Sequence, residues 1–489
     1  MDTRIVFAAD LPAATISDRV RRGQLARLGV GIYTSDVMSD PAAVVAREWH
    51  AIFGRMFPQA VITDRSALTG GPVGGVLYLA YEGRDREARL PGMTALARTG
   101  AGPLDGDIAL PGGLYQASKG RALAENTRPS RSRDGRTRRT LDWAELGDWI
   151  DRLCQIDGAR RLAGYREKAE QIAGDVGAPR EGIRKLSQMI GAALGTQQVR
   201  TPSRALTARQ AALPYDQERI RRFDRLITSL RQSAPQNRPV PDPRDARYAC
   251  LPFFEAYFSN FIEGTEFELA EAIAVVYQGK KIPGRGDDSH DLTGTYRVVS
   301  DLGEMTTLAS TPDEFLQLLR SRHATILGGR PDRRPGFFKE AVNRAGDSVF
   351  VLPGLVAGTL RAGWEQISEL DTAFERAVYM MFLVSEVHPF DDGNGRLARV
   401  MMNAELVAGK QSRIIIPTVF RDDYLGGLRL MTRQDDPGVL IKALRYAHDY
   451  TAQIDFSDLT PATDTLQATN AFHEPDSDHC LTLPASLGL

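Results

Sequence analysis

The sequence predicts a mainly α-helical protein with one small β-hairpin, preceded by an N-terminal region of short helices and strands. Three observations predict it. From about Ala211 to Phe456, apolar residues recur mostly at helical spacing. Between Phe337 and Leu352, two apolar runs flank a turn near Ala345 to Asp347. Between Gly74 and Leu114, a glycine-rich stretch carries the apolar runs "VLYLAY" and "DIALPGGLY", which read as strands.

Composition bounds the function. The chain has 489 residues, enough for two or three domains with real cores. Lys+Arg is 61 against 62 Asp+Glu, so any basic footprint is local. Cys154, Cys250 and Cys480 lie far apart; they fit neither a disulfide framework nor a zinc site and point to a reducing, cytoplasmic setting. "MDTRIVFAAD" has no basic region followed by an apolar run, so no signal peptide is expected. The apolar run Ala377 to Val384 is too short to cross a bilayer, so no membrane contact is expected.

The elements follow in order. "ISDRVRRGQLARL" places Ile16, Val20, Leu25 and Leu28 at roughly helical spacing, with Gly23 marking a break or turn. "GVGIYTS" then reads as a short strand. Arg19, Arg21, Arg22 and Arg27 surround the helical part. Together with "FPQAVITDRSAL", and more faintly the sequence to about residue 145, this order resembles the winged-helix region of AbiEi-type antitoxins. The resemblance implies DNA binding through residues 16–34; the alternative is a solvated arginine face on a small interaction domain. The expected organisation is a winged-helix-like domain over 1–70, a small β-containing subdomain over 71–145 and a helical connector over 146–200. A helical domain over 205–456 and a tail over 457–489 complete it. "TRPSRSRDGRTRR" (Thr127 to Arg139) reads as a polar, solvated loop.

The chemistry concentrates in "HPFDDGNGRLAR", His388 to Arg399. The apolar helix before it must stop near His388, because Pro389 cannot continue it. Gly393, Asn394 and Gly395 make a tight turn whose backbone can approach a ligand. A new helix is expected from about Arg396, and a helix N-terminus favours an anion, most naturally phosphate. Arg396 and Arg399, at i,i+3, project from neighbouring faces. Asp391 and Asp392 offer hard oxygens for Mg²⁺ on a polyphosphate. His388 is the side chain there suited to taking a proton near neutral pH.

These twelve residues match without a gap the Fic-domain signature, H-P-F-x-D/E-G-N-G-R-x-x-R, and the similarity spreads over roughly Leu251 to Tyr450. The resemblance implies a helical Fic domain that transfers AMP from ATP to a protein hydroxyl. It implies His388 as base, Asp392 as the Mg²⁺ ligand and Gly393, Asn394 and Gly395 as an anion nest. Arg396 and Arg399 would hold the phosphate tail, Asn403 would contact the nucleoside and Phe390 would pack the loop. "SNFIEG" resembles the family's inhibitory pattern, which implies that Ser259, Glu263 and Gly264 belong to an inhibitory helix with Glu263 on Arg399. It also implies that the hairpin in 337–352 is a flap that docks the target protein. Two alternatives stay open: a DNA-binding regulator whose Fic domain senses nucleotide, and a Fic enzyme that uses another nucleotide donor or removes AMP.

Overall fold

The computed structural model describes residues 5–131, 137–346, 348–475 and 477–488. Residues 132–136 of the arginine-rich loop and Asp347 of the expected turn lie outside them. The chain divides into two compact units, Met1–Ala212 and Leu213–Leu489.

In the first unit, in order, are β1 (Ile5–Phe7), α1 (Ala13–Arg21), β2 (Ala26–Gly29), β3 (Ile32–Thr34), α2 (Pro41–Met56), β4 (Val61–Ile62) and α3 (Ser66–Thr69). Then come β5 (Val76–Tyr81), β6 (Arg86–Leu90), β7 (Met93–Thr99), β8 (Ile108–Ala109) and β9 (Tyr115–Gln116). The helices α4 (Lys119–Asn126), α5 (Trp143–Gln171), α6 (Arg180–Ala193) and α7 (Arg204–Gln210) close the unit. Strands β1, β3 and β2 form one sheet; the other has the order β6-β7-β5-β4-β9-β8. The chain turns at Gly23 (φ 67°), the break expected there, and Leu25 and Leu28 are buried just before and within β2. Among the described residues one helix, α1, precedes the β2–β3 hairpin. Residues 1–70 and the sheet after them share a core: Ile5, Leu28, Ile32, Val44 and Phe53 cluster with Leu77, Leu79 and Ala95.

The second unit is helical: α8 (Gln217–Gln232), α9 (Leu251–Ile262), α10 (Leu269–Gln278), α11 (Gly286–Ser300), α12 (Leu302–Thr306) and α13 (Pro312–Ile326). The hairpin β10 (Arg344–Ala345) and β11 (Ser348–Val349) follows, antiparallel, with Ala345 opposite Ser348. Then come α14 (Val356–Glu365), α15 (Ala373–Val387), α16 (Asn394–Ala408), α17 (Arg421–Gln434), α18 (Gly438–Ala452) and α19 (Leu459–Ala468). The tail is not separate from this body, since Ala462, Leu466 and Leu481 join its core.

The pair α15–α16 forms the centre. A capping box starts α15: Thr372 Oγ1 accepts from the Glu375 amide, and the Glu375 carboxylate accepts from the Thr372 amide at 2.9 Å. Phe374, Val378, Met381, Phe382 and Val384 are buried between α8, α14 and α16. The helix ends where Pro389 requires it to, but α16 begins at Asn394, two residues before the expected Arg396. No helix among the described residues is long and apolar enough to cross a membrane.

Candidate active site

His388 caps α15 in the left-handed region, at φ 52° and ψ 62°. A residue without a glycine's freedom adopts this only when its surroundings hold it there. Its Nδ1 lies 3.3 Å from the Ser385 carbonyl oxygen, which can only accept, so Nδ1 carries the proton and Nε2 carries the lone pair. Nε2 has no hydrogen-bond partner among the described residues. The imidazole stacks on Phe350, centroids 3.8 Å apart and planes 10° apart. Burial pushes its pKa down to about 4, and the nearby Lys339 ammonium adds to the effect. The ring is therefore neutral, in the form that accepts a proton, across the physiological range.

The loop after His388 is tied to itself. Asn394 Oδ1 accepts from the Phe390 amide and Asn394 Nδ2 donates to the Phe390 carbonyl, both at 2.9 Å. Phe390 is buried and stacks on His323 at 3.8 Å, the packing role expected of it. Gly393, at φ 73°, is the N-cap of α16 and offers no capping side chain. The first amides of α16 are thus not filled by a cap, the arrangement that receives an anion.

The two arginines are held differently. Arg399 is buried and donates through Nε to Ser259 Oγ at 2.9 Å, and through Nη2 to the Ser259 carbonyl at 2.8 Å and Glu263 Oε1 at 2.7 Å. Arg396 donates through Nη1 to Asp291 and to Asn260 Oδ1 at 3.3 Å, and its Nε is buried without a partner among the described residues. An unsatisfied buried guanidinium N–H is costly.

Glu263 reaches Arg399 because α9 stops there. Glu263 is the C-cap; Gly264, at φ 86°, donates its amide to the Phe261 carbonyl, and the Thr265 amide reaches back to the Asn260 carbonyl. This is a Schellman-type ending, which needs a residue at ease with positive φ. The carboxylate lies over the start of α16: a Cβ placed on Gly395 would sit 2.0 Å from Glu263 Oε1. Glu263, Gly395, Arg399, His388 and the hairpin residues Ala345, Gly346 and Ser348 line one cavity of about 480 Å³. Leu425, Leu428, Arg429, Thr432 and Arg433 of α17 line its other end.

The adjacent acids face different ways. Asp392 acts electrostatically on His388, His323 and Arg330, whereas Asp391 acts on Lys339. Asp392 Oδ1 accepts from the Gly393 amide at 2.7 Å and lies 3.8 Å from Arg396 Nη2. Among the described residues no three His, Cys, Asp or Glu side chains are grouped to hold a metal by themselves. A single carboxylate beside a phosphate site still suits Mg²⁺, which completes its shell with phosphate oxygens and water.

Asn403 is engaged with the protein in this structure. Asn403 is fully buried; Nδ2 donates to Glu255 Oε1 (2.8 Å) and the Ile414 carbonyl (2.9 Å), and Oδ1 accepts from the Ile414 amide at 2.8 Å. It staples the segment after α16, with both amide hydrogens donated and one bond accepted at Oδ1. Asp291, Asn260, Phe350 and Tyr424 meet the site residues without having been singled out in the sequence. No spacing rule marks Asp291, Phe350 or Tyr424, since each belongs to an element distant in the chain, whereas Asn260 lies beside Ser259 on α9.

Residues 313–406 match the Fic/DOC family. The chain is similar to a protein adenylyltransferase Fic of Nematostella vectensis, 27% identical over 238 residues, which is 45% of this chain and 53% of that protein. It is also similar to protein adenylyltransferase fic-1 of Caenorhabditis elegans, 24% identical over 188 residues and 37% of each chain. The chain thus spans about half, or less, of the length of these curated relatives. Among solved structures, Fic-1 (residues 134–508) from C. elegans superposes with a TM-score of 0.37 at 18% identity, covering 63% of this chain and 86% of that one.

Proposed function

We propose that the chain is a protein adenylyltransferase that moves AMP from ATP to a hydroxyl side chain of a target protein and is held silent by Glu263. One observation carries this reading: a neutral His388 with a free Nε2 lines the same cavity as Gly395 and Arg399 at the start of α16. Nε2 takes the proton of the target hydroxyl as its oxygen attacks the α-phosphorus. The bond from that phosphorus to the bridging oxygen breaks, and pyrophosphate leaves with the electron pair. The α16 amides and Arg396 Nε take phosphate oxygens, and Arg399, once free of Glu263, takes the γ-phosphate. Asp392 would hold Mg²⁺, whose bound charge offsets that of the phosphates. The hairpin in 337–352 lines the same cavity and is where the target segment would lie as an added strand.

The test is a nucleotide-donor screen on the Glu263→Gly protein with cell lysate and mass spectrometry of labelled proteins. ATP-dependent addition of AMP is expected. His388→Ala in that background should lose on the order of 10²–10⁴-fold in rate. Labelling only from UTP or CDP-choline, or release of AMP from modified protein, would replace the donor or reverse the reaction. No transfer at all would sink the reading.

For residues 16–34, exposed Arg19 and Arg27 support contact with DNA, whereas Arg21 and Arg22 both pair with Asp18. A gel-shift series on the full chain in low salt tests this, with each phosphate contact adding about 0.9 to the slope of log K against log salt. No shift would make this an interaction domain.

A further inference from the structure

The root of the hairpin is joined to the histidine loop by two side chains that the reaction scheme does not use. Lys339 is 3% exposed. Its backbone amide donates to the Pro389 carbonyl at 2.9 Å, and its Nζ donates to Asn343 Oδ1 at 2.6 Å and to the Val387 carbonyl at 3.5 Å. Asn343 Nδ2 donates to the Phe390 carbonyl at 2.9 Å, and its own carbonyl accepts from the Phe350 amide at 3.3 Å. Phe350 is the ring stacked on His388. The segment entering the hairpin is therefore fastened to residues on either side of the imidazole, and the segment leaving it is tied to Asn343 and stacked on the imidazole itself.

We propose that Lys339 and Asn343 are positioning residues that lock the base of the hairpin to His388-Pro389-Phe390, so that a target segment on the hairpin meets Nε2 at a fixed distance and Phe350 stays over the ring. The proposal rests on the reading of His388 as the base. Merely filling the space would favour an apolar side chain, because burying an ammonium is costly unless its donors are used. Here they are spent on acceptors from both segments. Burial lowers this amine to about 8, which fits an ammonium retained for its hydrogen bonds. Small displacements of a base are expensive: about 1 Å can cost on the order of 10²-fold in rate.

The experiment uses the full chain carrying Glu263→Gly, with Lys339→Met, Lys339→Arg or Asn343→Ala added. Two quantities are read. The first is carbethoxylation of His388 by diethyl pyrocarbonate, followed by mass spectrometry, with the exposed His473 and His479 as internal standards. The second is the rate of AMP transfer at saturating substrates, beside the affinity for a fluorescent ATP analogue. Lys339→Met and Asn343→Ala should raise the modification of His388 relative to the standards. They should lower transfer by about tenfold or more while nucleotide affinity moves by less than about twofold. Lys339→Arg should recover most of the loss. Unchanged His388 modification in both variants, or transfer at the parent rate, overturns the proposal. If Lys339→Met does not fold, Asn343→Ala decides alone. If the parent transfers no AMP, the adenylyltransferase reading has failed, and the modification rates still decide whether this bracket holds the histidine.

Discussion

Glu263 Oε1 and Arg399 Nη2 meet at 2.7 Å, and they meet over the first turn of α16, where Gly395 leaves room for the carboxylate. One negative group thus occupies both the arginine and the approach to the helix N-terminus. Charge-assisted hydrogen bonds of this kind exceed surface pairs, which are worth about 0–1 kcal/mol. On the proposed reading a phosphate would have to displace the carboxylate, and a competition of about 1.4–3 kcal/mol would suppress productive binding by roughly 10–150-fold. Glu263→Gly should therefore raise AMP incorporation by about tenfold or more. Glu263→Gln, which removes charge but keeps a side chain there, should give most of that gain. Neither change should activate an Arg399→Ala protein. Labelling no faster than wild type on a verified substrate would make the α9 ending an ordinary helix terminus.

Asp392→Ala should reduce Mg²⁺-dependent turnover far more than Asp391→Ala. The two acids are neighbours in sequence, but Asp392 acts on His388 and Arg330 whereas Asp391 acts on Lys339. Mg²⁺ needs only one or two protein carboxylates, so one well-placed acid suffices. The readout is rate against Mg²⁺ concentration. Equal losses, or a larger loss at Asp391, would reverse the assignment.

How much of this was legible in the sequence follows from the range of the interactions. The α15–loop–α16 unit is local: Pro389 ends one helix, Gly393 starts the next, and only the first residue of α16 was misplaced. The Ser259–Glu263 spacing also carried its geometry, because i,i+4 residues share a helix face. The partners of Asn403, Glu255 and Ile414, were not legible, because they come from α9 and from the segment after α16. A carboxamide looks the same in sequence whether it reads a ligand or staples a chain. In the first unit the break at Gly23 was legible, but the helical period did not show that Leu28 belongs to β2, with Leu25 just before it.

Asn403→Ala should act on stability and not on nucleotide recognition. Truncation leaves Glu255 Oε1, the Ile414 amide and the Ile414 carbonyl without their donor or acceptor in a fully buried place. Leaving a buried polar group unsatisfied costs about 1–3 kcal/mol. A lower melting temperature is expected, with the affinity of the folded protein for an ATP analogue unchanged. A selective loss of nucleotide affinity at unchanged stability would return Asn403 to the binding site.

The pH dependence of transfer should lack the acid limb that an ordinary histidine gives. A general base works only when deprotonated, so an unperturbed imidazole would lose activity below about 6.5. Burial and Lys339 hold His388 down to about 4, so the rate of the Glu263→Gly protein should stay flat from neutral pH to well below 6. The same depression has a cost in stability. Buried His448 is also held down to about 4, by burial. Between about 4 and 6.5 the unfolded chain binds protons at both positions and the folded chain does not. Stability from these groups is thus complete above about 6.5 and is lost as pH falls towards about 4, by up to about 1.4 kcal/mol per pH unit for each proton. Melting temperatures across that window should fall with acid, and His448→Phe should flatten part of the slope. A transfer rate that titrates near 6.5 would show that His388 is more open to water than its stack on Phe350 implies, or that another group supplies the base.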